Sequence, residues 1–138
     1  MKLLVFLAES FEYRASEPGS PLADDPPEPA ADRVENAIVA FIQCEPRDEE
    51  RDTAVLKQAV KYFRWFARKR EVTRLVLHSF AHLAEERSSP EFARDLLATL
   101  GDRLGEHGLD VHHTPFGWSL KWTMGVEGHG YAKTFKSL

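Results

Sequence analysis

The stretch NAIVAFIQCE, residues 36–45, is an almost continuous apolar run flanked by charge. Such a run suits a strand buried on both faces. The remaining elements are read outward from it. Upstream, Lys2–Leu7 of the opening MKLLVFLAES is a first strand. Glu9 and Glu12 end that apolar stretch too soon for a signal peptide or a membrane span. Between the two strands, EPGSPLADDPPEPAAD, Glu17–Asp32, is rich in proline and aspartate. It cannot be a regular element and is expected as an exposed loop or hairpin tip.

Downstream, PRDEERD is expected as a connector. From Thr53 to Arg68 the period becomes helical, with Val55, Leu56, Ala59, Val60, Phe63 and Ala67 on one stripe. Thr53 or Asp52 is the expected N-cap. TRLVLHSF, Thr73–Phe80, is a strand of β-branched and apolar residues. Ser89 caps a second helix, Pro90 fits its first turn and Glu91 suits its dipole. Phe92, Ala93, Leu96, Leu97, Leu100 and Leu104 form the buried stripe, and Gly108 stops the helix. Three short strands follow, over Leu109–His112, Trp118–Glu127 and Tyr131–Phe135, with a turn at Gly128–Gly130. The fold class is α+β: a mixed sheet backed by two helices.

A chain of 138 residues is a single domain, 1–138, long enough to bury a core without staples. The formal net charge of −4 argues against nucleic-acid binding by the whole surface but leaves room for a local basic face. One cysteine, Cys44, excludes an internal disulfide framework and a cysteine-rich zinc site. A reducing, cytoplasmic location is the simplest expectation. No G-x-G-x-x-G or P-loop pattern is present, so no nucleotide cofactor is indicated.

Four features could carry chemistry. His82 follows a buried strand and precedes a helix, an edge that ligands favour in open α/β sheets. Its imidazole either hydrogen-bonds a ligand near neutral pH or caps and packs a loop. In TPFGWSLKW, Thr114–Trp122, Gly117 allows close backbone approach and Phe116 and Trp118 supply flat walls. Lys121 could hold a carboxylate, phosphate or carbonyl oxygen, or be an exposed lysine on a core strand. Cys44, late in a buried strand, behaves as a small hydrophobe unless a base activates it. Lys57, Lys61, Arg64 and Arg68 share one helical face, interleaved with Tyr62 and Trp65. That stripe is either a solvated face or a track for a phosphate backbone. The six histidines do not make a metal site at these spacings. His78 and His82 lie on a strand-to-loop path rather than one helical face, and His112 and His113 point to opposite sides of a strand.

Taken in order, FEY (11–13), VAFIQCE (39–45), FAHL (80–83), PFG (115–117) and GH (128–129) carry a resemblance. The chain resembles the N-terminal editing domain of archaeal-type threonyl-tRNA synthetase, nearly end to end. The resemblance implies a fold like that of the D-aminoacyl-tRNA deacylases and hydrolysis of serine wrongly esterified to threonine tRNA. It implies that His82 lies in the aminoacyl pocket, lined by Cys44, Phe80, Ala81, Phe116, Gly117 and Trp118. It also implies that the terminal hydroxyl of the tRNA assists the attacking water.

Two positions depart from the family pattern. The family lysine three residues after the PFG glycine is Leu120 here, and lysine comes one later, at Lys121. A bulge between Gly117 and Trp122 is expected to return Lys121 to the pocket. Where the family carries a glutamate after its GH block, this chain has Lys133. A binding or regulatory homologue that kept the pocket but lost turnover is the second reading, and a small-molecule hydrolase the third. The partners expected are aminoacylated tRNA at Lys57, Lys61, Arg64 and Arg68, a second copy of the chain, and a separate threonyl-tRNA synthetase. No cofactor, metal or membrane is expected.

Overall fold

In the computed structural model, which describes residues 1–138, the apolar run at 36–45 is the inner part of a long hairpin. The elements are β1 (Lys2–Pro18), β2 (Ala31–Gln43), α1 (Pro46–Glu49), α2 (Asp52–Arg70), β3 (Arg74–Ser79), α3 (Pro90–Glu106), β4 (Asp110–His113), β5 (Trp118–Val126) and β6 (Lys133–Ser137). They form one six-stranded sheet, ordered β4-β3-β2-β1-β5, with β6 also paired to β1. β1 runs antiparallel to β2, β5 and β6, whereas β2–β3 and β3–β4 are parallel. The sheet is therefore mixed, and α2 and α3 are the crossovers its parallel pairs require.

β2 is buried on both faces because it serves two cores. Ile38, Ala40 and Ile42 join Leu3, Val5, Leu7, Leu75 and Leu77 beneath α2 and α3. Ala37, Val39 and Phe41 point the other way, into a smaller cluster with Ala8, Phe11, Tyr13, Val34 and Val76. In β1 the helix-facing residues are odd-numbered up to Leu7, yet the second cluster takes both Ala8 and Phe11. This change of parity coincides with a register shift against β5 between Ala8 and Ser10. On β2 the matching change falls at Asn36, whose φ is +50°. The outer half of the hairpin is thereby turned over the sheet. Phe11 and Trp122 come to 6.4 and 5.5 Å from the Phe41 ring.

Several boundaries differ from expectation. β1 runs to Pro18 instead of ending at Leu7, and β2 begins at Ala31, so the hairpin tip is 19–30. The polar residues Glu9, Glu12 and Arg14 alternate with buried ones and belong to a half-exposed ribbon. The connector 46–52 contains one helical turn, whose Glu45 N–H donates to Asp48 Oδ2 at 2.9 Å. Arg51, not Thr53 or Asp52, is the N-cap of α2, and Glu71 closes that helix in a left-handed conformation. α3 starts as expected, with Ser89 Oγ accepting from Phe92 N–H and Pro90 in its first turn. Residues 130–132 form a 3-10 turn, so the last strand begins at Lys133 rather than Tyr131. No helix is long and apolar enough to cross a membrane.

Candidate functional site: a cleft at the ends of β2 and β3

The turned hairpin brings its tip back toward the ends of the parallel strands. Between them lies a cleft of about 380 Å³. Its floor and one wall come from Gln43, Cys44, Phe80, Ala81 and His82, where β2 and β3 end. The opposite wall comes from Phe116, Gly117, Trp118 and the hairpin tip at Gly19–Pro21. Arg87, Ser88 and Pro90, at the start of α3, close a third side.

The seam between the hairpin tip and the PFG turn is built from backbone. Gly19 N–H donates to Gly117 O at 2.7 Å, and Trp118 Nε1 donates to Asp24 O at 2.8 Å. Gly117 has φ of +76°, and a Cβ there would lie 2.9 Å from Ser20 Cβ. Glycine is required because the chain itself packs there, in a conformation that other residues resist. Thr114 anchors the same turn from below. Its hydroxyl lies 2.8 Å from His78 Nδ1, and its N–H donates to Leu77 O at 3.2 Å. His78 is buried beside Phe41, and burial lowers its pKa to about 4. It is a neutral core histidine. Phe80 lies tilted against it at 5.9 Å, and His82 meets Phe80 edge-on at 5.2 Å, with His82 exposed at the cleft.

Cys44 sits just past the end of β2 and is buried. Burial, with the carboxylates of Asp48 and Glu45 adding to it against the opposing Met1 ammonium, pushes its thiol up to about 12. The sulfur stays protonated and is unfit as a nucleophile. Beneath it, burial would raise the Asp48 carboxyl. The Glu45 backbone N–H, the Met1 ammonium at 2.6 Å and Arg51 outweigh that and hold it low. No cluster of three histidine, cysteine, aspartate or glutamate side chains is placed to hold a metal ion.

The structure thus brings together His82, Cys44, Phe80, Ala81, Phe116, Gly117 and Trp118. It leaves Leu120, Lys121 and Lys133 outside the cleft lining. β5 carries no extra residue between Gly117 and Trp122. The irregularity expected there is on β1, which gains Ser16 between Ala15 and Glu17. Neighbouring residues on β5 therefore alternate: Leu120 packs on the Phe41 cluster and Lys121 is exposed. Lys133 opens the edge strand β6 opposite Phe6, with Nζ 3.4 Å from Glu127 O. Lys57, Lys61, Arg64 and Arg68 are all exposed along α2, and Trp65 among them is 43% exposed. Gln43 and Arg87 were not singled out by sequence reasoning. The signal for Gln43 was a lone amide inside an apolar run.

The candidate site is thus a cleft between a strand-end histidine and a glycine turn in an α+β fold, the mixed sheet backed by two helices. The chain belongs to the family described as the Archaea-specific editing domain of threonyl-tRNA synthetase, whose model matches residues 1–138. Among its relatives, the threonine–tRNA ligase of Methanopyrus kandleri is 31% identical over 129 residues, which are 94% of this chain and 20% of that protein. That of Methanothrix thermoacetophila is 31% identical over the whole chain and 22% of its own length. The chain spans about a fifth of the curated relatives it matches. Among solved structures, the c-Myc DNA Unwinding Element Binding Protein is similar with a TM-score of 0.67. The alignment covers 100% of this chain and 99% of that one, at 10% identity. At that identity the likeness concerns the fold alone.

Proposed function

We propose that this domain hydrolyses the ester between an amino acid and the 3′ end of tRNA, with serine carried by threonine tRNA as the substrate. The observation that carries the reading is the meeting of His82 with the Phe116–Trp118 turn across one cleft, in a chain of this editing family. The chemistry is economical. Serine lacks one methyl of threonine, and apolar contact with a methyl is worth only about 1–3 kcal/mol. A cleft that rejects threonine by crowding acts as a second sieve, admitting the smaller acyl group. His82 orients the ester or the water, and the terminal hydroxyl of the tRNA assists the attack. The protein's own contribution is then placement of the ester and exclusion of bulk water.

Without Lys121 and Lys133 the cleft has one cation in its lining, Arg87. Leu120 in the family's lysine position supports a second reading, a homologue that binds aminoacyl-tRNA without turning it over. The separating experiment is deacylation of seryl-, threonyl- and D-aminoacyl-tRNAs beside His82→Ala. Release of serine with threonine spared, slowed about 10²-fold in His82→Ala, is the expected result. Wild type that leaves seryl-tRNA intact yet binds it would hand the domain to the second reading. The partners that go with the first reading are the tRNA body along α2, a threonyl-tRNA synthetase and a second copy of this chain.

A further inference from the structure

His82 stands in a segment, residues 80–89, that has neither helix nor strand. Such a segment needs its backbone groups paired from elsewhere if it is to hold a side chain in place. Most of that pairing comes from the last turn of one strand. Phe80 N–H donates to Ile42 O at 2.9 Å, and Ser88 N–H donates to Cys44 O at 3.0 Å. Between them, the side chain of Gln43 makes four hydrogen bonds. Its Oε1 accepts from Leu83 N–H at 2.5 Å and from Ala84 N–H at 2.9 Å. Its Nε2 donates to Ala84 O at 3.1 Å and to Glu86 O at 2.9 Å. Two donors and two lone pairs are the whole capacity of an amide, and all are used. Gln43 is 2% exposed.

A buried amide is costly unless bonded in this way, and an apolar residue would complete the VAFI run without that cost. What the glutamine adds is a bracket that holds the loop at both ends. The bonded Leu83 N–H belongs to the peptide that follows His82. The bonded Glu86 O belongs to the peptide that precedes Arg87. Both flanking side chains line the cleft.

We propose that Gln43 is a positioning residue for the site. Its amide holds residues 83–86 so that His82 and Arg87 face the same bound ester. This deepens the deacylase reading and rests on it for its kinetic half. The geometric half stands on the four hydrogen bonds alone.

The test is Gln43→Met, which keeps the volume and removes every hydrogen bond, beside Gln43→Glu. The glutamate can still accept from Leu83 and Ala84 but cannot donate. Gln43→Met should speed amide hydrogen exchange at Leu83 and Ala84 at least 10-fold while exchange in β2 and β3 is unchanged. It should lower kcat on seryl-tRNA by 10- to 100-fold with KM within about 3-fold, the mark of lost orientation rather than lost binding. Gln43→Glu loses only the bonds to Ala84 O and Glu86 O. It should therefore leave exchange at Leu83 and Ala84 near wild type and fall between wild type and Gln43→Met in kcat. If the methionine variant does not fold, a wild-type kcat in Gln43→Glu overturns the proposal. Unchanged exchange at Leu83 and Ala84 in folded Gln43→Met would overturn the proposal. So would faster exchange with unchanged kcat. If wild type deacylates nothing while Gln43→Met still frees those two amides, the deacylase reading falls and the bracket stands.

Discussion

Gly117 shows how much of the site depends on single positions. Its φ of +76° is a conformation other residues adopt at a cost of roughly 1–2 kcal/mol. The 2.9 Å approach of Ser20 Cβ adds a clash that only movement of the hairpin tip can relieve. Gly117→Ala is therefore expected to destabilise the fold by at least about 1–2 kcal/mol in urea titrations, and to loosen the wall opposite His82. A variant as stable as wild type would mean that the tip is not clamped. Lys121 makes the opposite case. It is exposed on the outer face of β5, so Lys121→Ala should keep deacylation within about 2-fold of wild type. A loss near 10²-fold, the scale of one removed electrostatic donor, would show that the lysine swings inward when the ester binds.

The basic stripe belongs to α2 as a whole. Four cations on one exposed face supply little stability, because each is solvated. They can, however, replace counterions on a phosphate backbone. Charge reversal at Lys61 and Arg64 together is expected to weaken tRNA binding. It should also flatten the dependence of log K on log salt by about 0.7–0.9 per lost phosphate contact. An unchanged slope would leave the stripe as a solvated face. Helical periodicity alone revealed this face, since exposed positions of a helix are set by the stripe that must be buried. The caps were less legible. Ser89 was read because a serine–proline pair has one good use at a helix start. Arg51 was missed because it caps through its backbone alone, with no side-chain hydrogen bond that its residue type would signal.

Across the molecule, acid stability follows from groups buried under the cleft. His78 is held neutral, with a pKa of about 4 against an ordinary value near 6.5, because burial disfavours its charged form. Below the ordinary value the unfolded chain binds a proton that the folded one refuses. Stability from this group is thus complete above pH 6.5 and is lost as the pH falls toward 4, by about 3 kcal/mol in all. Asp48, held below its ordinary range, adds a loss that begins lower, once free aspartate protonates near pH 4. Unfolding free energies from urea titrations at pH 7 and pH 5 should differ by about 2 kcal/mol more in wild type than in His78→Gln. Equal differences in the two proteins would show that His78 titrates normally in the fold.

Composition and periodicity determined the class of the chain, its two long helices and the doubly buried central strand. Those features are local: each depends on what a short stretch must bury or cap. His82 and the Phe116–Trp118 turn were legible because strand ends and glycine turns gather ligand-facing groups, whereas Cys44, Phe80 and Ala81 were placed at the cleft only by the resemblance to the editing family. Tertiary structure decided the rest. The parity change at Glu9, which turns the hairpin over the sheet, coincides with a register shift against β5, more than a hundred residues away in sequence, and Asn36 matches it on β2. That same pairing puts the extra residue on β1 rather than β5, and so turns Lys121 outward and Leu120 inward. Gln43 reads as a flaw in an apolar run until the loop that takes all four of its hydrogen bonds is folded against it. Register and loop pairing are relations between distant segments, and no single stretch of sequence contains both partners.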